Sequence, residues 1–241
     1  GEKMNPIGVV ICNYNKKDFV LQCVQSVLES KEKNFDIYVV DNASSDGSAE
    51  ALKKAYGNRI TVIENKENLG GSGGFNTGLR IVRDKGYSYF MCLDDDAAVD
   101  ENALSVLYHY MEEHTDTGMA GCRVYHTQMS DYIQQSGLLI DFDNCTAKTI
   151  GADMPEDGSL PDVIECDTVA TCAVMVRADA VKQKGVGIMP EDNFIYWDDM
   201  EWGYRIKLAG YRVVTLAEAK ALHQMGANTK KENTFINYYM W

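Results

Sequence analysis

The sequence predicts an α/β fold with a mostly parallel central sheet flanked by helices. Three observations predict it. Short apolar runs alternate with segments of helical spacing through the first half of the chain. Polar or acidic residues close several of those runs. The 241 residues, 45% of them hydrophobic, are ample for the buried core of one large domain.

The elements follow in order. Residues 7–12 form a short apolar run that reads as a buried strand. Phe19, Val20, Val24, Val27 and Leu28 recur at helical spacing. Residues 37–40 give a second strand that ends at Asp41, and Ser48–Tyr56 reads as a helix. Residues 60–63 are a third strand. Leu79, Ile81 and Val82 belong to a helix that closes near Gly86. A fourth strand, 89–93, runs straight into Asp94-Asp95-Asp96. Asp100 suits the cap of a helix reaching His114, and 119–125 is a fifth strand. The second half is less regular: hairpin character over 134–150, a polar loop over 153–161, a weakly alternating strand over 168–176 and a strand-like run at 213–216. No repeat and no linker divides the chain. Ligands of such sheets sit beyond the carboxyl ends of the strands. Asn13, Asn15, Asp41, Asn42 and Asp94-Asp95-Asp96 all fall there, so order and period alone predict that they share one crevice.

Composition excludes several function classes. Lys and Arg number 23 against 36 Asp and Glu, a net charge of −13. That charge repels phosphate backbones and argues against nucleic-acid binding. It does not exclude one nucleotide, because a divalent cation can bridge two anions. The seven cysteines are odd in number and lack CxxC spacing, so neither a zinc knuckle nor a disulfide framework is expected. Reduced thiols and a cytoplasmic setting fit this pattern. No run approaches the length of a membrane span, and the start lacks a signal peptide. A Gly before an internal Met and an abrupt aromatic end suggest one catalytic domain cut from a longer protein.

Four segments carry candidate chemistry. Gly70-Gly71-Ser72-Gly73-Gly74 precedes a helix, and its glycines can expose backbone N–H groups to a closely approaching ligand. Neither the dinucleotide fingerprint nor a P-loop is present, and a flexible connection reads equally well. Asp94-Asp95-Asp96 places three carboxylates side by side, a repulsion that a hard cation such as Mg²⁺ or Mn²⁺ relieves. A polar turn that caps the next helix is the plainer reading. In Trp197-Asp198-Asp199, Asp198 and Glu201 have capping-box spacing, which puts Asp199 at the first helical position. The helix dipole there favours the ionised carboxylate that a general base requires. Ile206 and Leu208 supply apolar side chains, and Gly210 stops the helix. Trp197 and Trp202 would flank the carboxylate, as sugar-stacking faces or as ordinary core. His223 could complete a metal site with the acidic triplet, although a lone His is more often structural.

Taken in order, CNYNK, VVDNASSDGS, NLGGSGGFNTGL, CLDDDA, FIYWDDMEWGYR and LHQMG resemble the inverting glycosyltransferases of family 2, which have the GT-A nucleotide-sugar-binding fold. The resemblance covers nearly the whole chain and is nearest to the galactofuranosyltransferase and rhamnosyltransferase branch. It implies that Asp41 holds the uracil or ribose side of a nucleotide-sugar. Asn13 and Asn15 line the same pocket, and Gly70, Gly71, Gly73 and Gly74 lie near the donor. Asp95, Trp197 and Asp198 join that donor-binding set. Asp94, Asp96 and His223 match metal ligands for Mn²⁺ or Mg²⁺, and Asp199 matches the catalytic base. Residues 1–125 would mainly bind a UDP-sugar or dTDP-sugar, and 126–241 a glycan or lipid-linked glycan acceptor. The cytoplasm, or the inner face of the membrane, is the implied place of work. Two features depart from the branch. Its Trp-His pair is Leu222-His223 here, and its long C-terminal extension, the route to peripheral membrane association, is missing. Two rivals remain: a nucleotidyltransferase acting on sugar phosphates, though Asn13-Tyr14-Asn15-Lys16 is not its basic Gly-rich loop, and a non-catalytic sugar-nucleotide or glycan-binding module.

Overall fold

A computed structural model describes residues 5–192 and 197–224. Strand β1 (Ile7–Asn13) lies between β2 (Phe35–Asp41) and β4 (Tyr89–Asp94), parallel to both, and β3 (Thr61–Glu64) extends the row beyond β2. On the other side of β4, β11 (Ala173–Arg177) is inserted antiparallel between β4 and β6 (Thr117–His126). Strand β12 (Arg212–His223) then runs parallel to β6, and β10 (Val163–Glu165) closes that edge antiparallel. Six of these eight strands therefore point one way, and β10 and β11 oppose them. The sheet is mixed but mostly parallel, as the alternating pattern predicts. Two short strands branch from it: β5 (Ala97–Val99) pairs with the end of β12, and β7 (Ile133–Gln135) pairs with β6. The expected hairpin is narrower than 134–150. It comprises β8 (Leu138–Asp141) and β9 (Thr146–Thr149), while residues 133–135 belong to the main sheet.

Successive strand side chains face opposite sides, which explains why the central strands are apolar throughout. Val9 and Ile11 join one core, which α1 (Lys17–Leu28), α2 (Ser48–Tyr56) and α4 (Ala103–Glu113) cover with Val24, Leu52 and Leu107. Val10, facing the other way, joins a second core. That core is covered by α3 (Gly70–Lys85), α5 (Ala178–Val181) and α6 (Asp198–Leu208) through Phe75, Ala180, Trp202 and Ile206. Full burial of each large apolar side chain contributes about 1.5–3 kcal/mol, and both faces of the sheet gain this.

The register confirms the predicted convergence. Asn13 lies beside Asp41, and Cys12 beside Asp94, at the carboxyl ends of their strands. The 213–216 run is longer than the sequence pattern shows. After a bulge between Leu216 and Lys220, β12 continues to His223, which pairs with Ala97 and His126. His223 therefore ends a strand instead of following one. All seven cysteines are free, as expected. Among the described residues, no helix is long and apolar enough to cross a membrane.

Candidate active site

The glycine cluster departs from its expected form. It is neither an open loop nor a flexible connection, because residues 70–74 are the first turns of α3 itself. Glycine is required there by close approach. A Cβ on Gly74 would lie 2.5 Å from Cys12 Sγ and 2.9 Å from Asn42 Nδ2, so α3 can rest directly on β1 and β2 only without it. Gly70, Gly73 and Gly74 are buried. Gly71 differs: a Cβ there would meet only Asp198 Oδ2, at 3.6 Å. Gly71 is thus the glycine on which the N-terminal turn of α3 faces the Asp198 carboxylate. Asn42 fastens the approach to this helix. Its Nδ2 donates to Asn68 Oδ1 and the Gly70 carbonyl, and its Oδ1 accepts from Asn65 Nδ2 and the Leu69 amide.

The strand-end residues on the other side are bound to one another. Asp41 is buried; it accepts from Asn13 Nδ2 at 2.9 Å and from the Ser44 amide at 3.0 Å. Asn15 adopts a positive φ of 53° and is exposed. Its Oδ1 accepts from the Ser45 amide at 2.7 Å, so it pins the 43–47 loop to the end of β1. Asn13 Oδ1 is buried without a hydrogen-bond partner.

The three adjacent aspartates play different parts. Asp94 is partly exposed, while Asp95 and Asp96 are buried. The resemblance assigns Asp95 to the donor, but its carboxylate turns into the protein. Oδ2 accepts from the Tyr14 amide at 3.0 Å, and Oδ1 lies 3.2 Å from Lys16 Nζ. Burial, only partly opposed by Lys16, pushes its pKa up to about 7. Lys16 Nζ also reaches Asp96 Oδ2 at 2.6 Å. Burial resists ionisation of Asp96, but His223 and Lys16 hold its pKa below the usual carboxylate range. Lys16 is a member of the acidic cluster that sequence reasoning missed, since its partner Asp96 lies 80 residues further on. Lys16→Met is expected to destabilise the metal-free protein by about 3 kcal/mol, because it leaves buried carboxylate charge uncompensated. Mn²⁺ should restore part of the loss. Urea unfolding in EDTA and in Mn²⁺ measures both, and an unchanged midpoint in EDTA would refute this role.

Asp94, Asp96 and His223 do come together. One ligand atom from each lies within 4.8 Å of the others, with His223 Nε2 3.5 Å from Asp94 Oδ2 and 3.1 Å from Asp96 Oδ1. Two observations test whether they suit a hard cation. Asp96 Oδ1 is buried, and no donor is aligned on it, His223 included. Without a cation, burial works against a charged His223, yet Asp94 and Asp96 push its pKa up to about 10. The cluster therefore suits a positive charge between its members, and its oxygen and imidazole ligands fit Mn²⁺ or Mg²⁺. A cavity of about 380 Å³ lined by Asp100, Tyr125, Lys220 and Leu222 is a separate feature. Its lining includes none of Asp94, Asp96 and His223.

The Trp-Asp-Asp segment requires corrections. The N-cap of α6 is Trp197, not Asp198, and it adopts a left-handed φ of 69°. That is a strained conformation for a bulky residue, of the kind concentrated at functional sites. The predicted capping box does not form. Asp198 is the first helical residue, its Oδ1 accepts from the Asp199 amide at 3.0 Å, and Glu201 pairs with Arg205 instead. Asp199 is the second helical residue, and its Oδ1 accepts from the Met200 amide at 2.8 Å. Thr168 Oγ1 donates to the Asp199 carbonyl at 2.7 Å and locks this turn against the end of segment 166–168. Trp197 is exposed, but Trp202 does not flank the carboxylates. It is buried and donates to the Gly187 carbonyl at 2.9 Å. Ile206 is buried as expected, whereas Leu208 is 70% exposed. Burial, the neighbouring Asp198 charge and, further off, the Asp94 charge push the Asp199 pKa up to about 7. Asp198 is also raised, by burial first. These shared charges place the helix start and the acidic cluster in one electrostatic environment. Phe194, Ile195 and Tyr196 of this segment, Met225 and Gly226 of LHQMG, and the aromatic stretch 237–241 lie outside the described residues.

Carboxylates gathered at the carboxyl edge of a mostly parallel sheet stand where the ligands of α/β domains bind. The chain belongs to glycosyl transferase family 2, whose family model matches residues 8–182. The teichoic acid poly(glycerol phosphate) polymerase of Staphylococcus epidermidis is 26% identical over 146 residues, 58% of this chain and 19% of that protein. The UDP-Glc:alpha-D-GlcNAc-diphosphoundecaprenol beta-1,3-glucosyltransferase WfaP of Escherichia coli is 30% identical over 109 residues, 45% of this chain and 42% of that protein. The chain thus spans less than half the length of these curated relatives. The mannosyltransferase PcManGT from Pyrobaculum calidifontis, solved with GDP-Man and Mn²⁺, aligns over 94% of this chain and 59% of its own, with a TM-score of 0.67 and 17% identity. The fold is of the GT-A type.

Proposed function

We propose that this chain is the catalytic domain of an inverting, metal-dependent glycosyltransferase, which moves a sugar from a nucleoside-diphosphate donor to an acceptor hydroxyl. The observation that carries the proposal is the pairing of two features: the Asp94, Asp96 and His223 cluster at the carboxyl edge of the sheet, and Asp199 at the start of α6 in the same electrostatic environment. Asp199 accepts the proton of the acceptor hydroxyl as its oxygen attacks the anomeric carbon from the face opposite the diphosphate. One displacement inverts that centre. Asp94, Asp96 and His223 would hold Mn²⁺ or Mg²⁺, which supplies countercharge to the departing diphosphate. Asp41, with Asn13, receives the nucleoside, and Asn15 shapes the loop beside it. Gly71, on the N-terminal turn of α3, faces the donor side together with Asp198, and Gly70, Gly73 and Gly74 let that turn approach. Exposed Trp197 offers a face for the sugar or acceptor. Asp95 acts through Lys16 and Tyr14 to set the loop.

Residues 1–125 form the donor half and 126–241 the acceptor half. UDP-galactofuranose and dTDP-rhamnose are the two candidate donors, and the Trp-Asp-Asp and histidine pattern favours the former. The names of relatives support a wider choice, UDP-glucose and GDP-mannose among them. A lipid-linked glycan at the inner membrane face is the acceptor class, in keeping with the diphosphoundecaprenol acceptor in the name of WfaP.

A thermal-shift screen of nucleotide-sugars with Mn²⁺, followed by product analysis on the full-length protein, tests this reading. Release of nucleoside diphosphate with an inverted glycosidic product is expected. Release of pyrophosphate would instead establish a nucleotidyltransferase. Donor binding without turnover across a broad acceptor panel would establish a binding module.

A further inference from the structure

We propose that Gln134 is the positioning residue of the metal centre: it fixes the ring orientation and proton placement of His223, so that Nε2 is presented to the cation. The proposal rests on the metal-dependent reading above.

Both hydrogen bonds of the Gln134 side-chain amide go to one residue. Its Nε2 donates to the His223 carbonyl at 3.1 Å, and its Oε1 lies 2.7 Å from His223 Nδ1. The assignment of atoms follows from chemistry. A backbone carbonyl can only accept, so the amide atom facing it is the NH₂ group. The atom facing Nδ1 is then the amide oxygen, which only accepts, so Nδ1 carries the proton. The remaining nitrogen, Nε2, is the one that lies 3.5 Å from Asp94 Oδ2 and 3.1 Å from Asp96 Oδ1. A neutral imidazole so oriented offers its lone pair at Nε2, as a metal ligand must. The clasp spans both the ring and the backbone of His223, and so restrains the ring's rotation as well as its tautomer.

The backbone supplies an independent observation. In the β6–β7 ladder, Val124 pairs with Gln135 and Tyr125 with Ile133. One step along β6 thus matches two along β7, and Gln134 is the extra, unpaired residue of a β-bulge. Bulges of this kind re-aim a side chain next to functional sites. Gln134 is also buried. A polar side chain whose two hydrogen bonds both serve one histidine, on a strand interrupted to deliver it, is accounted for by that histidine.

The test is a double-mutant cycle read by Mn²⁺ affinity, measured by calorimetry with Mn²⁺ alone and with Mn²⁺ plus UDP. The proteins are wild type, Gln134→Met, His223→Ala and the double variant, each checked for folding by circular dichroism. Loss of a partner that orients a ligating histidine typically weakens metal binding about 10- to 100-fold. Gln134→Met should lose this much in the wild-type background and nothing further in the His223→Ala background. A wild type that binds Mn²⁺ together with an unchanged Gln134→Met variant would overturn the role of Gln134 and leave the metal reading standing. Equal losses in both backgrounds would show that Gln134 merely supports the local fold. A wild type that binds no Mn²⁺, with or without UDP, would overturn the metal reading and the proposal with it.

Discussion

Asp199→Asn is expected to lower the rate of sugar transfer about 10²- to 10⁴-fold, the range that a positioned general base contributes. Donor affinity should stay within a few-fold of wild type. Asparagine preserves the shape of the side chain and can still accept from the Met200 amide. It cannot take up the acceptor proton. The pH profile gives a second readout. Burial and Asp198 raise the Asp199 pKa to about 7 in the free protein, and the base works only when ionised. The wild-type kcat/KM should therefore fall as pH drops below about 7, and this limb should vanish in the variant. Stability should move as well. The folded-state pKa lies above the unfolded value of about 3.9, so the protonated carboxyl supports the fold fully below that value. This support is lost as pH rises through about 7. Asparagine stays neutral, so the melting temperature of the metal-free variant should gain on wild type from about pH 4 to about pH 8. Transfer at the wild-type rate with donor binding intact would remove Asp199 from the role of base.

The second large effect is expected from Asp94→Ala. Asp94 is the most exposed of the three carboxylates and is not among the partners of Lys16, and His223 keeps Asp96 beside it, so the loss of Asp94 strands no buried charge. The fold should survive. A cation at this site is worth several kcal/mol to a bound diphosphate, so the variant should bind the donor at least about 100-fold more weakly in Mn²⁺. In EDTA, variant and wild type should bind equally weakly. Calorimetric titration with UDP in both conditions makes the comparison. Affinity unchanged by the substitution in Mn²⁺ would sink the metal assignment.

Much of the fold is legible because it rests on local pattern. The apolar runs at β1, β2 and β4 and the helical spacing of α1 and α2 lie close to their predicted bounds. Legibility falls where neighbours decide. Glycines 70–74 look like a loop, because glycine disfavours helix. They are helical because the close approach of α3 to Cys12 and Asn42 outweighs that preference. The capping-box spacing of Asp198 and Glu201 is genuine in the sequence, but Trp197 takes the cap position and Glu201 turns to Arg205. Trp202 is indistinguishable from Trp197 as a sugar-stacking candidate until packing buries one and exposes the other.

The sequence by itself determined that carboxylates would gather at the carboxyl edge of an α/β sheet, since strand period and chain order are enough to put Asp41 and Asp94 beside β1. Only the tertiary structure decided which groups serve them. Lys16 reaches Asp96 from 80 residues away, and Gln134 reaches His223 from 89. The first pairing depends on the register of β1 on β4, the second on the register of β12 on β5 and β6 and on the bulge in β7. Register is fixed by matching whole strands against one another, so no local pattern around Lys16, Gln134 or His223 could announce the partner that each would meet.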